Sequence, residues 1–339
     1  MVKNVSGLWV NTLVNLGYWA GIFRHTHTFK IMVYAWQLGS GLWIWFFLGL
    51  AITSAIATWV SPATLAKSLQ RMHGWGLLLA AVLGLISPLA TYSVIPLAVI
   101  MLRQGAPLAP ITAFMISSPL INPAIFTMTA GGMGMEMALA RTITSFALAV
   151  VGGWLAGQCE KRWGFAEAYL RQEDTAPLHV PLRHYRKSLD GLRSGRFHRI
   201  LAGSEKAGVW LRNFGLQIKF ASRFFILALI ISAGVRELVS PALVMQTVGE
   251  ASMYSIMLAA AAGIPFYTCG GAAIPMMQVL ASMGMSRGAI LAFFITGPAT
   301  NISTIFTLAT LFKRNFLSLY YAVTLIGAIG AGYLYQWLF

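Results

Sequence analysis

Two stretches of the chain spell one pattern 179 residues apart. Residues 95–122 read IPLAVIMLRQGAPLAPITAFMISSPLIN, and residues 274–301 read IPMMQVLASMGMSRGAILAFFITGPATN. No gap is needed. Pro96 falls on Pro275, Gly105 on Gly284, Ala113-Phe114 on Ala292-Phe293, Pro119 on Pro298 and Asn122 on Asn301. The register continues upstream, with Gly84 on Gly263 and Val60-Ser61-Pro62-Ala63 on Val239-Ser240-Pro241-Ala242. Matched alanines carry little weight in an apolar chain. Matched prolines do, because only 13 of 339 residues are proline. A duplicated half with helix breakers inside apolar segments is the sequence signature of a membrane transporter.

The membrane assignment rests on apolar runs too long for a soluble core. Candidate segments lie at 41–60, 76–102, 107–132, 138–157, 217–235, 252–281, 288–312 and 316–338, in a chain with 10% charged residues. The formal net charge of +15 does not point to nucleic acid. Twelve of the 24 Lys and Arg fall between Lys161 and Lys219, in a polar linker flanked by apolar spans. That is the positive-inside bias of a cytoplasmic loop, which can rest on anionic lipid headgroups. Expected partners are therefore a small-molecule substrate and membrane lipid, with no nucleic acid. Two cysteines, Cys159 and Cys269, exclude a disulfide framework. The six histidines have no metal spacing and read as loop or interface residues. No metal site and no cofactor are expected.

Loop charge sets the sidedness. Lys67, Arg71 and His73 say inside, Thr129–Met137 outside, the 161–219 linker inside, Arg236 to Glu250 outside, and Lys313-Arg314 inside. The regions 76–132 and 252–312 must then each cross an odd number of times, although each holds two apolar segments. The 12 residues before Pro88 would make ~18 Å of helix, about half a bilayer. The segments around Pro88–Pro96 and Pro265–Pro275 therefore read as re-entrant hairpins. Segments 107–132 and 288–312 cross, broken at Ser117-Ser118-Pro119 and Thr296-Gly297-Pro298. The expected fold class is an all-α polytopic membrane protein with two inverted repeats, each holding a re-entrant hairpin and a Pro-broken helix. The expected parts are an N-terminal helix at 1–40, interfacial or spanning, a first repeat at 41–158, a basic cytoplasmic linker at 159–216 and a second repeat at 217–339.

Chemistry is limited by what the chain lacks. No carboxylate falls mid-membrane, and there is no P-loop and no Ser/His/Asp set, so no catalytic residues are expected. The helix breaks are expected at Pro88, Pro96, Pro119, Pro265, Pro275 and Pro298. Proline frees nearby carbonyls, and such backbone is tolerated at membrane depth only inside protein or beside water. The substrate-binding candidates are Thr91, Tyr92 and Ser93 at the first hairpin tip, and Tyr267, Cys269, Gly270 and Gly271 at the second. Beside them stand Ser117, Ser118 and Asn122 at one break and Thr296 and Asn301 at the other. Asn122 and Asn301 either bind solute or tie off freed carbonyls. Cys269 is substrate-facing or a small buried hydrophobe; Cys159 reads as structural. Arg103 and Arg287 read as snorkelling residues at the hairpin bases or as anion recruiters. Met128–Met137 reads as a flexible helix end rather than a metal path.

These motifs resemble a known family. Ser117-Ser118-Pro119-Leu120-Ile121-Asn122-Pro123, Pro265-Phe266-Tyr267-Thr268-Cys269 and Gly297-Pro298-Ala299-Thr300-Asn301 look like the predicted-permease family that includes bacterial organoarsenical efflux permeases. The resemblance covers about 41–339. It implies a multi-pass bacterial inner-membrane permease exporting a small solute by alternating access, with trivalent organoarsenicals or related metalloids as the family's cargo. The sequence departs at the first hairpin, where the family pattern P-x-C-x-C has Ala90 and Tyr92 in place of both cysteines. One soft ligand, Cys269, is left. A channel for a small solute or anion, and a membrane thiol oxidoreductase, are the alternative readings.

Overall fold

The computed structural model describes residues 26–59, 75–87, 91–103, 105–163, 170, 204–249, 254–265 and 270–339. Among these residues the chain is helical, with two isolated backbone bridges and no strand. The first half holds α1 (His27–Trp59), α2 (Gly76–Ile86), α3 (Thr91–Arg103), α4 (Leu108–Leu120), α5 (Pro123–Met133) and α6 (Met135–Trp163). The second holds α7 (Ser204–Leu238), α8 (Pro241–Val248), α9 (Ser255–Gly263), a short 3-10 turn at Gly270–Ala272, then α10 (Ala273–Ser282), α11 (Arg287–Thr300), α12 (Ile302–Leu311) and α13 (Arg314–Leu338).

The offset read from the sequence also sets the helix ends. α1 and α7 end 179 residues apart, as do α3 and α10, while α2 and α9, α4 and α11, α5 and α12, and α6 and α13 each start 179 apart. The matched glycines have one job in both halves. Gly105 (φ 84°) and Gly284 (φ 95°) end α3 and α10 in the left-handed region, which a side chain disfavours. Ala106 N–H then donates to Met101 O and Met285 N–H to Leu280 O, both at 3.0 Å, closing a Schellman cap in each repeat.

Small residues fix the helix crossings, as expected where lipid offers no hydrophobic drive and close packing must hold helices together. A Cβ on Gly84 would overlap Ser117 Oγ, and one on Gly263 would overlap Thr296 Oγ1, so α2 packs on α4 as α9 packs on α11. A Cβ on Gly153 would lie 2.6 Å from the Ala109 carbonyl, and one on Gly332 2.8 Å from the Gly288 carbonyl. These are again matched pairs.

Matched helices also meet each other, antiparallel. Lys30 Nζ donates to Glu237 Oε1 (3.0 Å) at one end of the α1–α7 pair, and Ser54 Oγ donates to Trp210 O (3.2 Å) at the other. Near the middle, Phe46 stacks on its own counterpart Phe225, with centroids 4.4 Å apart. In the α6–α13 pair, Tyr335 reaches Glu136 at one end, and Leu148 packs on its counterpart Gly327 at mid-helix. Contacts near the helix ends fall on two faces. Lys30, Glu136, Glu237, Gly249 and Arg287 share one face through Lys30–Glu237, Glu136–Arg287 and the Gly249–Met285 bridge. Leu108 donates its N–H to Glu160 on the other (3.1 Å), and Leu170 bridges Phe312.

Four helices, α1, α6, α7 and α13, are each long and apolar enough to cross a membrane. Only 22–39% of their most apolar windows is buried, so Trp36, Phe220, Ile226 and Ile326 face outward, as lipid-facing residues do. α4 with α5 bends by 41° and α11 with α12 by 44°, and each bent pair would add one span. The protein is therefore a multi-pass membrane protein, helical over its described residues.

Several expectations change. The first apolar helix starts at His27 rather than at 41: Lys30 pairs with Glu237, and Ser40 Oγ donates to Gln37 O (2.9 Å), so polar side chains are absorbed without a break. The linker expected over 159–216 is shorter at both ends, since α6 runs to Trp163 and α7 starts at Ser204. Four of the six prolines expected at breaks lie inside helices: Pro96 in α3, Pro119 in α4, Pro275 in α10 and Pro298 in α11. Pro275 is the third residue of its helix, where an N–H has no intrahelical acceptor. Pro119 and Pro298 fall in the last turn, and the chain breaks two or three residues later. Pro265 lies in the turn two residues past the end of α9, and Pro88 lies outside the described residues.

Candidate functional site

Both bent pairs break at asparagine. Asn122 (φ −144°, ψ 172°) is extended, as a residue before proline must be, and its Oδ1 accepts from the N–H of Ile125 (2.9 Å). Asn301 (φ −63°, ψ 153°) does the same for Thr304 (2.8 Å), although Ile302 replaces the proline. The asparagine, not the proline, is the shared cause: it caps the second limb and satisfies one N–H left open at a helix start. Asn301 Nδ2 also donates to Pro298 O (3.4 Å), tying off a carbonyl in the last turn of α11. Capping is thus visible in both; contact with solute is a separate matter.

Ser117, Ser118 and Thr296 are buried. Ser117 Oγ donates to Ala113 O and Thr296 Oγ1 to Ala292 O, each at 3.0 Å, which fits both hydroxyls into the glycine crossings. Thr91, Tyr92 and Ser93 form the first turn of α3, and Gly270 and Gly271 the 3-10 turn. Gly271 sits against Met128 of α5, so the 3-10 turn before α10 meets the bent pair of the other half. Gln278 Nε2 adds a bond to Gly132 O (2.6 Å) across the same contact. α3 packs against α12 in the reciprocal place. Tyr267 and Cys269 lie outside the described residues. Cys159 is half-buried near the end of α6.

Two features escaped the sequence reading. The first is a cavity of about 690 Å³ where the α5–α6 joint meets the α10–α11 turn. Met133, Glu136, Met137, Arg287, Ile290 and Tyr335 are among its walls, and none of the substrate-binding candidates named from sequence is. At its rim Tyr335 O–H donates to Glu136 Oε1 (2.9 Å), and Arg287 Nη1 stands 3.6 Å from the same oxygen. Arg287 therefore has a carboxylate partner rather than a purely snorkelling role. The Met-rich run is the joint between two helices, with Met133 and Met137 in the cavity wall.

The second is Arg141, on α6 and 0% exposed. Its Nη1 donates to Thr129 Oγ1 on α5 (3.2 Å), and its Nη2 to the Phe294 carbonyl on α11 (3.5 Å). The guanidinium carbon lies 4.4 Å from the Phe294 ring centroid, a cation–π contact, and Nε has no partner. No ion pair reaches Arg141 among the described residues. The signal for it is a single arginine in the apolar segment 138–157; weighing only carboxylates passes over it. Among the described residues no group of His, Cys, Asp or Glu could hold a metal ion.

Comparison with known proteins agrees with this architecture. The family model described as ArsP_1, predicted permease, matches residues 28–337. UPF0718 protein MJ0584 of Methanocaldococcus jannaschii is 19% identical over 292 residues, 75% of this chain and 80% of that protein. No solved structure matches the chain. Bent helix pairs, short apolar helices and long apolar spans thus come with a match over nearly the whole length, and the chain belongs to the predicted-permease family.

Proposed function

We propose that the protein is a bacterial inner-membrane permease that exports a small solute by alternating access between two inverted repeats. The observation that carries this reading is the meeting of matched residues across antiparallel helices, Phe46 with Phe225 and Leu148 with Gly327. A two-fold axis near the middle of the spans accounts for both contacts. Inverted repeats of this kind place a solute site where discontinuous helices meet at mid-membrane. The capped breaks at Asn122 and Asn301 and the hairpin tip at Gly271 are such discontinuities. Backbone without helical partners is tolerated there only beside protein or water.

Reporter fusions at Thr175 and at Pro241 test the sidedness. The first is expected to score cytoplasmic and the second periplasmic; both on one face would sink the inverted arrangement. The solutes to try first are trivalent organoarsenicals and related metalloids, the cargo of the family that the motifs resemble. With Ala90 and Tyr92 in place of two thiols, we expect a harder, oxygen-bearing solute to be preferred. Cys269→Ser should then change transport little, and Ala90→Cys with Tyr92→Cys should enlarge uptake of a trivalent methylated arsenical by everted vesicles. Strong wild-type uptake that disappears in Cys269→Ser would reverse that preference.

A further inference from the structure

We propose that Arg141 is the anion-recognition residue of the transport path, and that the exported solute carries an oxyanion or carboxylate group. This rests on the permease reading above and names its substrate class. An arginine offers five N–H donors in a planar fork suited to paired oxygens. Among the described residues it makes two bonds, to a hydroxyl and a carbonyl at 3.2 and 3.5 Å, and Nε has no partner. Thr129 spends its own proton on Ile125 O (2.7 Å), so its oxygen meets the guanidinium as a neutral acceptor. A buried cation without a carboxylate is expensive in protein and more so in a membrane. Such a group is worth keeping where an incoming anion completes it.

The placement supports a path. Thr129 belongs to the second limb of one bent pair and Phe294 to the first limb of the other, each about two helical turns (~10 Å) from its break, so Arg141 ties the two bent pairs together. Met137 and Ile290, in the cavity wall, stand one helical turn from Arg141 and Phe294 on the same helices, a rise of ~6 Å. The cavity has a size that suits a small organic ligand. Arg287 at the rim is already paired with Glu136, so Arg141, one turn deeper on α6, is the cation that has no carboxylate among the described residues. Breathing of the α6–α11 contact by one turn would open the cavity floor onto the guanidinium.

The test uses the full chain, purified in detergent and in proteoliposomes. Methylphosphonate, methylarsonate, inorganic phosphate and acetate are the anionic probes, at constant ionic strength, with choline chloride as control. Thermal unfolding of the wild type should rise saturably with at least one probe and not with choline chloride. Arg141→Gln should abolish that shift, and Arg141→Lys should weaken the apparent affinity about tenfold, because the charge stays and the fork is lost. Labelled probe should exchange by counterflow in wild type and not in Arg141→Gln. Equal shifts in wild type and both variants overturn the proposal. So does counterflow of a neutral trivalent arsenical at equal rates in wild type and Arg141→Gln with no anion shift, an outcome that leaves the permease reading standing. An Arg141-dependent shift without counterflow of any probe by wild type would sink the permease reading while keeping the anion site. If Arg141→Gln does not fold, the wild-type titration and the lysine variant decide.

Discussion

Gly288→Val should cost about 3 kcal/mol or more of stability in detergent and leave little folded protein in the membrane. Even the first carbon of a side chain at Gly288 would overlap the Gly332 carbonyl oxygen, and the next nearest atoms belong to Gln336. Backbone cannot swing aside as a side chain can, so the α11–α13 crossing must open, and overpacking of this kind costs ~1–3 kcal/mol even where neighbours yield. Gly330, also on α13, has nothing within 4 Å of an added Cβ. Gly330→Ala should therefore be neutral, or stabilising by up to ~1 kcal/mol, since glycine is the poorer helix former. Detergent melting of both variants reads the difference. Equal melting temperatures would mean that close approach does not hold these helices together.

Asn301→Ala should lower transport at least tenfold and destabilise by ~1–3 kcal/mol, the cost of leaving a buried N–H and carbonyl without partners. Asn122 is less buried, so Asn122→Ala should cost ~0.5–2 kcal/mol, as for an ordinary cap. Serine separates the two uses of the amide. It supplies the capping oxygen almost as well as asparagine but brings no NH2 group. Asn301→Ser is therefore expected to recover melting and not flux. Recovery of both would make capping the whole of its role, and normal flux with normal melting in both alanine variants would refute either role.

These outcomes depend on features of unequal visibility. The 179-residue offset was legible in Pro96, Gly105, Pro119 and Asn122 and their partners, and it carried through to helix ends and Schellman caps. Such signals are local. A positive φ asks for glycine, an open helix start asks for an asparagine oxygen, and a tight crossing asks for a missing side chain. Each is met within a few residues or repeated by duplication, so composition and register reveal it. Proline misled because its effect depends on its place in a helix. Pro275 costs nothing in a first turn, and Pro298 is tolerated in a last one, while the break itself belongs to Asn301.

The cavity and Arg141 were decided by tertiary structure alone. The guanidinium bonds to Thr129 twelve residues back and to Phe294 153 residues on, and no pattern in the chain ties those positions together. The cavity likewise needs Glu136, Arg287 and Tyr335 from three helices to converge. By itself the sequence determined that this is a duplicated, helical membrane protein and where its helices are punctuated. That a buried arginine with no ion pair among the described residues joins α5, α6 and α11 followed only from packing, which brings together residues whose separation along the chain carries no periodic signal.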